Sequence, residues 1–235
     1  MARNESPAAL SAPDIAAVAI ELLAERGYDA TSVGELADAL EVSRSTFFRR
    51  FKTKEDIVFA DHTYLLERLA NSLADDTADP FAAVNAACLV VLKYHMARPE
   101  STLKRHALLR SNPSLREREL VMSHRYERIF RDHLKSRLQD DGDQSWVASA
   151  YAAAAVAVHN DALRGWFEDE SIEVAAILQR QLGELAQAFR SRVSPAGQQA
   201  ARVVVAVYDP SAPAEAILDS IRGALSPTDV RIFRT

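Results

Sequence analysis

Residues 31–51 read TSVGELADALEVSRSTFFRRF, and this stretch decides the fold. Ser32 followed three residues later by Glu35 is the signature of a capping box, which opens a helix. Val33, Leu36, Ala37 and Leu40 then recur at helical spacing and give that helix an apolar face. The following EVS is a short turn in which Val42 can plug a core and Ser43 can cap the next helix. That next helix runs from about Arg44 to Phe51. At the helical advance per residue, Phe47 and Phe51 turn back toward Leu36 and Leu40, while Arg44, Ser45, Phe48 and Arg49 gather on the opposite side. So short a turn makes the two helices cross steeply. The expectation is a helix-turn-helix that presents a basic, small-polar face.

The charge distribution sharpens this. The chain carries 28 Lys+Arg against 33 Asp+Glu, a net charge of −5. Residues 1–60 hold seven basic and ten acidic residues, yet Arg44, Arg49, Arg50, Lys52 and Lys54 fall within one short segment. The positive charge is therefore local, and a local patch is what a nucleic-acid contact requires. Arginine can fork onto guanine or phosphate, hydroxyls can bond bases or phosphate, and an apolar surface can meet a thymine methyl. Ser43 and Lys54, each at a helix start, are placed to hold backbone phosphate.

Outward from this segment the pattern stays helical. Only seven glycines occur in 235 residues, and no proline falls between Pro13 and Pro80 or between Pro113 and Pro195. A first helix starts near Pro13 and stops at Gly27. Thr53 with Asp56 opens a long fourth helix through KEDIVFADHTYLLERLANSL. Further helices are expected near 81–97, 100–111, 113–138, 145–168 and 171–192. Residues 202–209 (RVVVAVYD) have strand character, so residues 195–235 read as a strand–helix–strand extension. The fold class expected is all-α, with a flexible arm (1–12), a helix-turn-helix domain (13–58) and a helical body (59–194).

Over residues 14–58 the sequence resembles the DNA-binding domain of TetR-type transcriptional regulators, in ERGYDATSV, ELADALEVS, STFFRRF and KED. One departure is Phe48, where many relatives carry a tyrosine whose hydroxyl can reach phosphate. The resemblance implies a homodimer whose two recognition helices enter successive major grooves of a double-stranded, palindromic operator. It carries DNA contacts over to Ser43, Arg44, Ser45, Thr46, Phe48, Arg49 and Lys54, with Ser32 or Thr31 at the start of the second helix. Arg44 and Ser45 are the expected base readers. It also implies repression relieved by a small hydrophobic effector, acyl-CoA-like or otherwise lipid-derived.

The body offers candidates for the effector pocket: Tyr94, His95, Leu103, His106, Tyr126, Phe130, Trp146 and His159. Apolar walls with a few polar groups suit a hydrophobic ligand. The small side chains of SAYAAAAVAV (149–158), and Val174, Ile177, Leu178, Leu182, Leu185 and Phe189, suit a bundle of four helices from two chains.

Other classes fit less well. There is no Gly-rich phosphate loop, G-x-S-x-G, H-E-x-x-H or Cys-x-x-Cys, so no enzyme is expected. The single cysteine, Cys88, excludes an internal disulfide framework, and the histidines form no ligand motif, so neither a metal nor a cofactor is expected. The longest uncharged run, residues 144–160, is too short and too polar to span a membrane, and a cytoplasmic protein is expected. A helical adaptor that binds protein or an anionic surface through the same basic helix is the competing reading.

Overall fold

The computed structural model describes residues 10–75, 79–138 and 145–193. Among them are ten α-helices and no strand: α1 (Ala12–Arg26), α2 (Val33–Ala39), α3 (Arg44–Arg50), α4 (Lys54–Val58), α5 (Ala60–Asp75), α6 (Pro80–Met96), α7 (Pro99–Ser111), α8 (Pro113–Arg137), α9 (Ser145–Glu168) and α10 (Val174–Val193). The strand–helix–strand reading of residues 195–235 lies outside the described residues.

The helix starts are set by local chemistry. Ser11, Ser32, Ser43, Thr53 and Asp79 each accept a backbone N–H of the first turn through the side chain. At Ser32 and Thr53 the partner acid closes a full capping box, with Glu35 and Asp56 respectively. Each such cap is worth about 1 kcal/mol. Prolines open α6, α7 and α8, where the missing N–H costs nothing. Gly27 ends α1 at φ 88°, a backbone conformation that favours glycine. Between α2 and α3 the chain turns through Glu41 at φ 54°, and Val42 N–H bonds the Ala37 carbonyl at 2.9 Å.

One expected element is two. The helix read as continuous from Lys54 breaks at Phe59 (φ −112°, ψ 20°), which separates α4 from α5. Neither glycine nor proline causes the break; α4 is held from outside. Arg118 of α8 reaches Asp56 at 2.5 Å, and α4 also packs against α1. The α5 helix packs against α1 and α8 as well, and in addition against α6. Phe59, the residue between, is 1 % exposed.

One contiguous apolar core runs from Ile15 in α1 to Phe189 in α10. In it α1 packs against α5 and α7, α8 against α9, and α10 against α6 and α9. Asn85 ties the last three together, donating to the Leu182 carbonyl at 2.9 Å and accepting from the Tyr151 hydroxyl at 2.5 Å. Val174, Leu178, Leu182 and Phe189 are all buried within this one chain. Ile177 and Leu185 of the same stripe are only half-buried, so this chain alone does not cover the whole apolar face of α10. No single helix among the described residues is long and apolar enough to cross a membrane.

Candidate nucleic-acid interface and effector cavity

The first site is the outer face of α3. Phe47 is fully buried and Phe51 nearly so, with ring centroids 5.4 Å apart, so the two anchor α3 on the domain. Phe48 points the other way and is 54 % exposed. Ser43, Arg44, Ser45 and Arg49 are exposed and Thr46 is half-buried. The three hydroxyls form a small network, with Ser43 Oγ 2.9 Å from Ser45 Oγ and 3.0 Å from Thr46 Oγ1. Neither Arg44 nor Arg49 meets a carboxylate among the described residues, whereas Arg26, Arg105, Arg118 and Arg190 all do. Arg50 lies with its guanidinium 5.5 Å from the Phe51 ring.

Two expected contacts have structural partners. Ser32 is exposed at the start of α2, where it caps the helix through Glu35. Lys54 gives its ammonium to the carbonyls of Tyr28 (2.5 Å) and Thr31 (3.1 Å) and lies 4.1 Å from the Tyr28 ring. It thus pins the turn between α1 and α2 to the start of α4.

Arg44 has a seat of its own. Its guanidinium lies over Gly34, so close that a Cβ there would collide with it. Gly34→Ala is expected to preserve the fold and to add up to about 1 kcal/mol of helix stability, since a flexible side chain tip can move aside. It should also displace Arg44 and change affinity for DNA. Thermal melting together with a DNA titration checks this; a lowered melting temperature would mean that the seat is rigid.

The second site is a cavity among α5, α6, α7, α8 and α9. Its walls are mostly apolar, with Val91, Leu109, Met122, Val156 and Leu163 among them. Of the eight residues expected there, His95, His106, Tyr126 and His159 line it. The other four do not. Tyr94 turns to the neighbouring face of α6, where its hydroxyl bonds Asp61 at 3.0 Å. Leu103 packs half-buried against the core, and Phe130 is a core residue at 1 % exposure. Trp146 lies near the start of α9, against Phe189 and 42 % exposed. Ten residues separate it from Val156, the first α9 residue of the lining, or about 15 Å of helix.

At the floor is a polar cluster that sequence reasoning missed. Arg105, 6 % exposed, donates to Asp61, 3 % exposed, at 2.5 Å. Arg105 also bonds His62 Nε2 at 2.9 Å, and His62 Nδ1 lies 3.2 Å from the Tyr126 hydroxyl. Burial pushes the Asp61 carboxyl up, but the charges of Arg105 and His62 outweigh it and hold the pKa at about 2. Burial lowers His62 to about 4, helped by Arg105 and opposed by Asp61. Burial likewise lowers His159 to about 4, and His95 falls well below the ordinary value. At neutral pH the floor thus holds one ion pair and three neutral imidazoles. Among the described residues, no group of three or more His, Cys, Asp or Glu is arranged to hold a metal ion.

The cavity and the helix-turn-helix are joined through α4. Phe59 and His62 both line the cavity, and Phe59 directly follows α4, whose first residue Lys54 grips the helix-turn-helix.

Comparison with known proteins agrees with this layout. Residues 8–60 match the bacterial regulatory proteins of the tetR family, and residues 78–190 match the MftR C-terminal domain. A transcriptional regulator of Mycobacterium tuberculosis, named MftR after mycofactocin biosynthesis, is 25% identical over 166 residues, 70% of this chain and 83% of its own. Among solved structures, PfmR of Thermus thermophilus is 21% identical, covering 74% of this chain and 97% of its own, with a TM-score of 0.45. NalD of Pseudomonas aeruginosa, the secondary repressor of the MexAB-OprM efflux pump, is 18% identical, covering 75% and 95%, with a TM-score of 0.49. At these scores the two likenesses carry no functional inference. The sequence matches, the helix-turn-helix and the helical body with its cavity lead to one conclusion: the chain belongs to the TetR family of ligand-responsive, DNA-binding transcriptional regulators.

Proposed function

We propose that this protein is a repressor that binds a palindromic operator as a homodimer and releases it when a small hydrophobic effector fills the cavity. The observation that carries the reading is the pair of exposed, acid-free arginines on α3, Arg44 and Arg49, beside the exposed Phe48. In this reading residues 13–58 hold DNA, and residues 59–194 bind effector and dimerise. Ser43, Ser45 and Thr46 supply hydroxyls to phosphate and bases, Phe48 meets a thymine methyl, and Ser32 reaches phosphate. Lys54, already holding two carbonyls, steadies the domain and adds its charge to the phosphate side. The dimer would use the outer faces of α9 and α10, where Trp146 and Ala157 are exposed and Gly183 has open space above its Cα. The family resemblance favours an acyl-CoA-like or other lipid-derived effector. Release is a two-state shift: the effector favours an α4–α5 arrangement in which the recognition helices no longer match the groove spacing.

The test is a double substitution. Arg44→Ala with Arg49→Ala is expected to weaken binding to a duplex from the gene's own upstream region at least 100-fold, at about 1–3 kcal/mol per lost contact. The dependence of affinity on salt should become shallower. The melting temperature should not change, since both side chains are exposed. Parent-like affinity in the double variant would remove the basis of this reading.

A further inference from the structure

The donor–acceptor order at the cavity floor defines what the cavity can take. Arginine only donates, so His62 Nε2, 2.9 Å from Arg105, is the acceptor. The His62 proton is then on Nδ1, and it is donated to the Tyr126 hydroxyl oxygen 3.2 Å away. Tyr126 is therefore an acceptor toward His62, and its own O–H has no acceptor among the described residues. Tyr126 is 8 % exposed and lines the cavity. A buried hydroxyl in that position is a donor in need of a partner.

Charge sets the second condition. Arg105 is cancelled by Asp61 at 2.5 Å, and Tyr94 gives that carboxylate a further bond at 3.0 Å. The imidazoles of His62, His95 and His159 are all held neutral at neutral pH by burial. An incoming carboxylate would find no free cation to meet it and would face Glu119 on the lining as well, and burying an unpaired charge is costly. Size sets the third condition. The cavity volume is about 80 Å³ in this conformation, a slot compared with the roughly 300–1,000 Å³ of pockets for drug-sized molecules.

We infer that the part of the effector inside the cavity is a slender, uncharged apolar chain that offers one hydrogen-bond acceptor, such as an ester or ketone carbonyl, to the Tyr126 hydroxyl. This rests on the cavity being the effector site proposed above, and it adds the chemistry that the site selects. Tyr126 fixes the polar end of the ligand, His62 holds Tyr126 in the donating orientation, and Arg105 fixes the His62 tautomer. Any anionic portion of a larger effector stays outside the mouth.

The test uses full-length protein at pH 7.5, with methyl octanoate and octanoate as probes in calorimetric titrations. The ester is expected to bind at least tenfold more tightly than the acid. Tyr126→Phe should weaken the ester about tenfold and leave the acid unchanged. Equal affinity for ester and acid, or binding of neither, overturns the inference. So does an ester affinity within twofold of the parent's in the Tyr126→Phe protein. If that variant fails to fold, the comparison of ester with acid on the parent protein still decides. A parallel DNA titration separates this inference from the regulatory one. An ester that binds through Tyr126 yet leaves DNA affinity untouched supports the site and counts against effector-driven release.

Discussion

Arg105→Met is expected to destabilise the protein by about 3–5 kcal/mol, a large share of the stability of a domain this size. The side chains of Arg105 and Asp61 retain only 7% and 4% of their exposure. With the guanidinium gone, Asp61 would keep its charge in the core against only neutral donors, the Tyr94 hydroxyl and the His62 backbone N–H. His62 Nε2 would lose its donor as well. The cost comes from stranding a charge, not from the intrinsic worth of the pair. Arg105→Met combined with Asp61→Leu should therefore recover most of the loss, since a well-packed apolar replacement of a buried pair is often neutral. Urea unfolding of parent, single and double variants measures all three. A single variant within 1 kcal/mol of the parent would show that Asp61 can shed its charge or reach solvent. The double variant should also lose the preference for a ligand carbonyl at Tyr126, because the tautomer of His62 is no longer imposed.

What the sequence made legible was local. The capping pairs Ser32–Glu35 and Thr53–Asp56 are three residues apart, and both close as capping boxes. Phe47 and Phe51 are one helical turn apart, and both are buried. The break at Phe59 was not legible, because KEDIVFADH is an unbroken helical pattern. The contacts that hold α4 are tertiary, among them Arg118, brought to Asp56 from 62 residues away. The cavity was legible as a residue class and not as an address. Tyr94 and His95 are adjacent and thus point about 100° apart on α6. His95 shares the cavity face with Val91 and Cys88, and Tyr94 does not. A signal for the floor did exist. Asp61 lies four residues from both Ile57 and Leu65, and Arg105 lies three from Thr102 and Leu108, so each is a charge at a core position of an amphipathic helix. Two opposite charges so placed, on helices distant in sequence, imply a buried pair. The register that joins them is tertiary.

Acidification should unfold this protein well before its carboxylates titrate. His62 and His159 fall from 6.5 in the unfolded chain to about 4 in the fold. Between those values the unfolded chain takes up protons that the folded protein refuses, so stability rises with pH through this window and is lost as pH falls. It is fully present above about pH 6.5. At 1.36 kcal/mol per pKa unit, each histidine withdraws at most about 3 kcal/mol by pH 4. His95, shifted in the same direction, adds to the loss. Asp61 runs by the depressed-carboxylate rule: its contribution is present above about pH 3.8 and is lost only as pH falls toward 2. The window from pH 6.5 to 4 therefore belongs mainly to the buried histidines. The urea midpoint should be level from pH 8 to 7 and fall steeply from about 6.5 to 4.5. His62→Gln combined with His159→Gln should flatten that slope; a parent profile level down to pH 5 would show that these imidazoles take protons within the fold. Burial is the main reason for their refusal, and at His62 the cavity floor adds a second. A second proton on His62 would go to Nε2, the atom that accepts from Arg105 at 2.9 Å. Protonation there replaces a hydrogen bond with two facing cations, and the contact between α5 and α7 that closes the floor could not hold.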